Sequence, residues 1–379
     1  MPFRITNIRK NRKRPGLQPQ HLTGVNAAAA ICRARVTGNR LDSTELVFEP
    51  GDITAGEYDF NVADQKGSAG AVTLVIQTIL PMLLFAPGRQ TPDVEPQMHA
   101  NERESERMEP QVNASERESE GRESSMNLFR TRSMHGQDAL ATVSQVMIRG
   151  GTHVPFSPCY DYFAEVLLPF LRRLGFKLRT EIVRCGFFPV GNGEVKLEIE
   201  PENRPSRQEL RLNGRGALRR ASLVSAVANL PLAIAQRQAS RFSWLYRSGG
   251  LEAATRQVPA QSPGTYVFFK AEYENLTVGF SSLGARGKPA EKVAEEAFEQ
   301  FDRYRQTDAA VDEHLADQIL IFLVLLGRPF SFTTNRITSH LLTNLWVLQQ
   351  FGLNALIEGA EGCCGRVGSA GCGTANARE

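Results

Sequence analysis

Alternation of apolar and polar residues gives way repeatedly to helical periodicity along this chain, and that exchange is the strongest constraint on its fold. Residues 3–9 alternate as a short strand and run into a basic loop closed by Pro15 and Gly16. Leu22, Val25, Ala29 and Cys32 recur at helical spacing, which predicts a helix from Gln20 to Arg33. Residues 44–62 read as two strands about the turn Pro50-Gly51. Gly67-Ser-Ala-Gly70 then opens a helix from Ala71 to Phe85, apolar enough to be fully buried. Strand–helix–strand–helix units with short connections recur after residue 145 and again after 265. The pattern predicts an α/β chain built from similar modules.

Two stretches break it. In residues 87–142, Val94-Glu-Pro-Gln-Met-His-Ala-Asn-Glu-Arg-Glu-Ser-Glu106 is copied imperfectly over Met108 to Glu120. Glu, Arg, Ser and Pro offer almost nothing to bury, so a disordered low-complexity insertion is expected there. The Gly- and Cys-rich end, 358–379, reads as a flexible tail.

A chain of 379 residues can hold a large core and more than one domain, and its net charge of +3 excludes nucleic-acid binding by bulk charge. The six cysteines form no C-x-x-C pair, which points to a reduced intracellular protein. Cys363, Cys364 and Cys372 could bind a soft metal, but in no standard spacing. The start has no apolar signal core, and the longest apolar run, Ile319 to Leu326, is too short to span a bilayer. The expectation is a soluble protein without membrane attachment, in the nucleus of a eukaryote and otherwise in the cytoplasm.

Several clusters could carry chemistry. Arg4, Arg9, Lys10, Arg12, Lys13 and Arg14 lie within eleven residues, as a phosphate site, a solvated basic loop or a localisation signal. Gly67-Ser-Ala-Gly70 either aims backbone N–H groups at an anion or makes a tight turn, and it is neither a Walker loop nor a dinucleotide fingerprint. Gln77 is a polar residue inside an apolar helix and needs a partner, which a purine edge or a backbone carbonyl would supply. Arg149-Gly-Gly-Thr-His-Val-Pro-Phe-Ser-Pro158 forms a rigid wall, either for packing or for an adenine to stack on, before a helix at Tyr160 to Leu174. Asp317 and Gln318, at the head of the Ile319–Leu326 helix, either compensate its dipole or, with His314, hold a sugar or base. His340 stands between hydroxyls and an apolar helix start. It is an N-cap or core histidine, or a nucleophile able to attack phosphorus near neutral pH and leave again.

Taken in order, these segments resemble the RNA 3'-terminal phosphate cyclase family. The resemblance is carried by Ile8-Arg-x-x-Arg12 with Pro15-Gly-Leu-x-x-Gln-His-Leu22, by Gly67-Ser-Ala-Gly70 with Gln77-Thr-Ile-Leu-Pro81, and by Gly150-Gly-Thr152. It continues through Gly186-Phe-Phe-Pro189 with Gly193-Glu-Val195, Leu283-Gly-x-Arg-Gly-Lys288, Leu315-Ala-Asp-Gln318 and Ser339-His-Leu-Leu-Thr-Asn344. It implies sheets backed by helices, repeated as in the C-terminal domain of an initiation factor, over 1–202 and 276–357. A smaller inserted α/β domain would occupy 203–275.

The resemblance also implies ATP-dependent conversion of an RNA 3'-phosphate end to a 2',3'-cyclic phosphate, with Mg2+ or Mn2+, through a histidine–AMP adduct on His340. Gln77, Pro158, His314, Leu315, Ala316, Asp317 and Gln318 would hold ATP, while Arg9, Arg12 and His21 would meet phosphate or RNA. His314 replaces a tyrosine expected in several members. Members usually begin with a strand and a Gly-Glu-Gly-Gly-Gly-Gln segment leading into a helix, and the resemblance starts after it. The alternatives are a non-catalytic relative acting in ribosome assembly or RNA processing, and an inactive truncated relative. The sequence assigns no metal ligands and leaves the choice between monomer and homodimer open.

Overall fold

The computed structural model of the protein describes residues 1–62, 70–86, 143–200 and 208–369. The insertion expected over 87–142, most of the Gly67–Gly70 turn and residues 370–379 lie outside the described residues.

The first module runs β1 (Phe3–Ile5), α1 (Pro19–Cys32), β2 (Arg35–Thr37) and β3 (Leu46–Glu49), with antiparallel strand order β1-β3-β2. Pro19 at the first helical position and a reciprocal bond pair between Gln18 and His21 start α1. Gly24 and the buried Ala27 let α1 lie close against Thr78 and its helix.

The second module is complete: β4 (Glu57–Asn61), α2 (Val72–Leu84), β5 (Ser144–Gly150), a helical rod, β6 (Lys177–Arg184) and β7 (Gly193–Glu200). The rod is α3 (Tyr160–Tyr162), a π-helical turn (Phe163–Leu167) and α4 (Leu168–Arg173). Strand order is β4-β5-β7-β6, with β4 and β5 parallel and the other pairs antiparallel. Ile76, Ile79 and Leu80 of α2 are fully buried, as its apolar sequence requires.

The third module has the same plan but is split. β8 (Leu210–Leu212) precedes an inserted unit of β9 (Leu218–Ala228), α5 (Leu232–Leu245), β10 (Leu251–Gln257), β11 (Gly264–Tyr273), β12 (Thr277–Leu283) and α6 (Ala290–Arg305). The module resumes with α7 (Glu313–Leu325), β13 (Phe330–Thr334), α8 (Ser339–Gln350), β14 (Ala355–Glu358) and β15 (Gly365–Ser369). Its order, β8-β13-β15-β14, and its parallel β8–β13 pair repeat those of the second module strand for strand. In the first module β1, β2 and β3 correspond to β5, β6 and β7, and no described strand stands beside β1 where β4 stands beside β5.

Two boundaries differ from expectation. β12 pairs with β11 along its length and α6 packs on the same sheet, so a division at 275 would cut a hairpin; the inserted unit reaches to the start of α7. The segment expected to begin a flexible tail at 358 instead supplies β15, which lies between β13 and β14. Its glycines answer packing, not looseness: a Cβ on Gly359 or Gly365 would come within 2.7 or 2.3 Å of Ile337 Cδ1. Among the described residues no helix is long and apolar enough to cross a membrane.

Candidate active site

Three close backbone crossings fix the loop that leads to Pro158. A Cβ on Gly186 would sit 2.3 Å from the Gly150 carbonyl oxygen and 2.4 Å from the Gly193 nitrogen. The Gly186 carbonyl accepts the N–H groups of Thr152 and His153, and Gly151 exchanges backbone bonds with Gly70 and Val72. Beneath the loop, the Thr152 hydroxyl accepts the Gly186 N–H at 2.9 Å and lies 2.8 Å from His153 Nδ1. The hydroxyl hydrogen is therefore free for Nδ1, which leaves Nε2–H to donate to Asp161 at 2.7 Å. Tyr266 also donates to Asp161, at 3.3 Å. Among the described residues His153, Cys159 and Asp161 are the one group of three side chains that could hold a metal ion. His153 and Asp161 are already engaged with each other and with Thr152 and Tyr266, and burial pushes the Cys159 thiol up to about 12.

Hydrogen bonds tie this loop to the helix starts around it. Thr73, one turn before Gln77 on α2, donates to the Pro158 carbonyl at 2.8 Å. Tyr162, just beyond Pro158, donates to Asp312 at 2.7 Å. Asp312 is the N-cap of α7, and the same oxygen takes the N–H groups of His314 and Leu315. The Tyr162 ring meets His314 edge-on at 6.1 Å. Leu315 and Ala316 are wholly buried and turn their side chains into the core.

Asp317 faces α8. Asn344 donates to its carboxylate and to its backbone carbonyl. Burial raises its pKa, against the pull of His340 and His314. Gln318 is buried, and its Oε1 has no partner among the described residues.

His340 is the second residue of α8, whose cap is Thr338; that hydroxyl accepts the Leu341 N–H at 3.1 Å. The His340 ring is 81% exposed, with Nδ1 4.0 Å from Asp317 Oδ2. It is neither a core residue nor the cap, and its Nε2 has no partner among the described residues.

The basic loop is shaped by backbone turns. Asn7 and Arg9 take left-handed conformations, Arg9 accepts the Arg12 N–H, and Gly16 at φ +78° presses on Asp42. Arg9 Nη1 is buried without a partner. His21 Nδ1 accepts the Gln18 N–H at 3.1 Å, and burial together with Arg9 lowers its pKa. His21 is thereby held neutral near pH 7, with its proton on Nε2. Arg12 is exposed. No hydrogen bond or ion pair among the described residues joins Arg9, Arg12 or His21 to the α7–α8 pair.

The structure thus brings His314, Asp317 and His340 together, with Gln318 buried next to Asp317 in α7, and ties Pro158 to the helix that carries Gln77. Sequence reasoning gave no role to Asp312, Tyr162 or Asn344. Only Asn344 had a signal, its four-residue spacing from His340.

The sequence profile described as RNA 3'-terminal phosphate cyclase matches residues 1–100 and 129–355. The chain belongs to this family. It is 38% identical to an RNA 3'-terminal phosphate cyclase of Methylococcus capsulatus, over 92% of this chain and 83% of the relative. Proteins of the same name from Gloeothece citriformis and Salmonella agona are 36% and 33% identical, covering 93% and 92% of this chain and 86% and 84% of theirs. The match to the family resumes at 129 and carries every candidate residue from Pro158 to His340.

Proposed function

We propose that this chain converts RNA 3'-phosphate ends to 2',3'-cyclic phosphates at the expense of ATP, with His340 as nucleophile. The observation that carries this reading is the exposed His340 ring, whose Nδ1 faces Asp317 while Nε2 stays free, with the buried, unpartnered acceptor of Gln318 next to Asp317 in the same helix. An adenosine fits the donor set here, since Gln318 Oε1 can accept from an exocyclic amine and Asp317 can accept from a ribose hydroxyl.

In the first step the Nε2 lone pair bonds to the α-phosphorus of ATP and the bond to the bridging oxygen breaks, releasing pyrophosphate. Asp317 then stabilises the positive imidazole through Nδ1–H. A phosphate oxygen of the RNA end displaces the imidazole and takes the adenylyl group. Finally the adjacent 2'-hydroxyl attacks the RNA phosphorus, loses its proton and expels AMP. That step is intramolecular and needs mainly positioning, for which Arg9 and a neutral, donating His21 are suited. Among the described residues no group of three metal-capable side chains includes His340; Mg2+ or Mn2+ bound with the triphosphate would offset charge on the leaving pyrophosphate.

The test is incubation with α-labelled ATP and Mg2+ or Mn2+. We expect an acid-labile label on the denatured protein that vanishes in His340→Ala. A folded protein that takes no label would sink the catalytic reading and leave a binding relative.

A further inference from the structure

The approach to His340 is held from one side by a turn that carries two adjacent, exposed thiols. Between β14 and β15 the chain turns through residues 359–364, and this turn grips the segment just ahead of α8. Ile337 N–H donates to the Cys363 carbonyl at 2.8 Å, and Gly362 N–H donates to the Ile337 carbonyl at 2.8 Å. The Ile337 side chain is fully buried, packed against Gly359 and Gly365. The Cys364 thiol donates to the Asn335 carbonyl at 3.3 Å. Residues 335 and 337 are therefore both pinned by the cysteine turn, and the next residue, Thr338, caps the helix on which His340 is second.

We propose that Cys363 and Cys364 form a two-electron redox site that controls the placement of His340. A small-molecule disulfide such as oxidised glutathione supplies the oxidant. The thiolate of one cysteine attacks a sulfur of the reagent, forms a mixed disulfide and expels one glutathione thiolate. The neighbouring thiolate then attacks the protein sulfur of that bond and expels the second. The two cysteines lose two protons and two electrons, and one oxidised glutathione becomes two reduced ones.

Geometry makes this closure consequential. The Cα atoms of adjacent residues across a trans peptide are about 3.8 Å apart. Disulfides usually span roughly 4.4–6.8 Å between Cα atoms. Closing the ring must therefore distort the Cys363–Cys364 peptide, whose carbonyl is the acceptor for Ile337. Oxidation also removes the thiol hydrogen that Asn335 accepts. Both pins on the α8 approach loosen together, and the strained bond is of the readily reduced kind suited to a reversible switch. Both thiols are exposed, so the reagent can reach them.

The effect on catalysis rests on the proposed adenylylation, and the experiment separates the two. The full chain is treated with oxidised glutathione and the disulfide mapped by peptide mass, which distinguishes the adjacent pair from any bond to Cys372. Hydrogen exchange is then followed over residues 335–342, with α-labelled ATP in parallel. The expected result is a Cys363–Cys364 bond, at least tenfold faster exchange at Ile337, a severalfold drop in labelling and full recovery with dithiothreitol. Cys364→Ser should label normally when reduced and, under the oxidant, stop at a mixed disulfide on Cys363 with unchanged exchange at Ile337. No bond between these two cysteines, or a mapped bond with unchanged exchange at Ile337, overturns the proposal. Absence of label from the reduced protein counts against the adenylylation reading alone, and the exchange result still decides the switch.

Discussion

Removing the Tyr162 hydroxyl should uncouple the wall at Pro158 from the head of α7, and a double-mutant cycle can measure by how much. Tyr162 is buried and donates to Asp312 at 2.7 Å, while the same oxygen caps the helix through His314 and Leu315. Tyr162→Phe loses a hydrogen bond to a carboxyl group, about 1.5–3 kcal/mol. Asp312→Ala loses the cap, about 1 kcal/mol, and strands a buried phenol, about 1–3 kcal/mol more. Once Asp312 is alanine the phenol has nothing left to bond, so the second substitution should cost far less than it does alone. The double variant should therefore be more stable than the sum of the singles predicts, by about 1–3 kcal/mol. Urea denaturation of the four proteins at one pH gives the number. Losses that add to within about 0.5 kcal/mol would refute the claim that this bond holds the two elements together.

Two further substitutions probe the glycine crossing and the buried acid. Gly186→Ala places a methyl 2.3–2.4 Å from the backbone of Gly150 and Gly193, where nothing flexible can give way. A loss of about 3 kcal/mol or more by denaturant titration is expected, and a neutral result would mean that the three backbones do not cross so closely. Asp317 has its folded-state pKa raised, mainly by burial. The native state therefore holds this proton more tightly than the unfolded chain, and the stability it contributes is lost as pH rises from the ordinary carboxylate range through the folded value. Asp317→Asn lacks that dependence, so the variant should gain on the wild type with increasing pH; a pH-independent difference would contradict the assignment.

The parts of the fold legible in sequence were those set by local pattern. Helix α1 was expected over 20–33 and runs 19–32; α2 was expected over 71–85 and runs 72–84. In both, periodic burial and the end signals agree. What escaped was structure dictated by distant partners. The Gly- and Cys-rich end looked loose because its glycines carry no pattern of their own, yet Gly359 and Gly365 are small so that Ile337 can sit against them, and Gly368 so that the Phe330 carbonyl can. The boundary at 275 missed because a hairpin and the helix after it belong to a sheet defined by β9, far upstream. At the candidate site, residue types announced His340, Asp317 and Gln318. The tie between Tyr162 and Asp312 behind them is a spatial pairing across 150 positions, which no spacing rule reports.

The interruption of the third module bears on the order in which the chain folds. β8 pairs with β13, and Arg328 reaches the Gln208 carbonyl across 120 positions, so this sheet cannot close until nearly the whole chain has been synthesised. Closing so long a loop is slow when the intervening chain is loose. The inserted unit supplies its own remedy. Arg215, at its entrance, donates to the Arg305 carbonyl at its exit and lies over the Tyr304 ring, while Tyr304 donates to Ala310. Once that unit has folded, its two ends emerge side by side. A search across more than a hundred residues becomes one across roughly thirty, and the helix that carries His340 then forms on a scaffold already made.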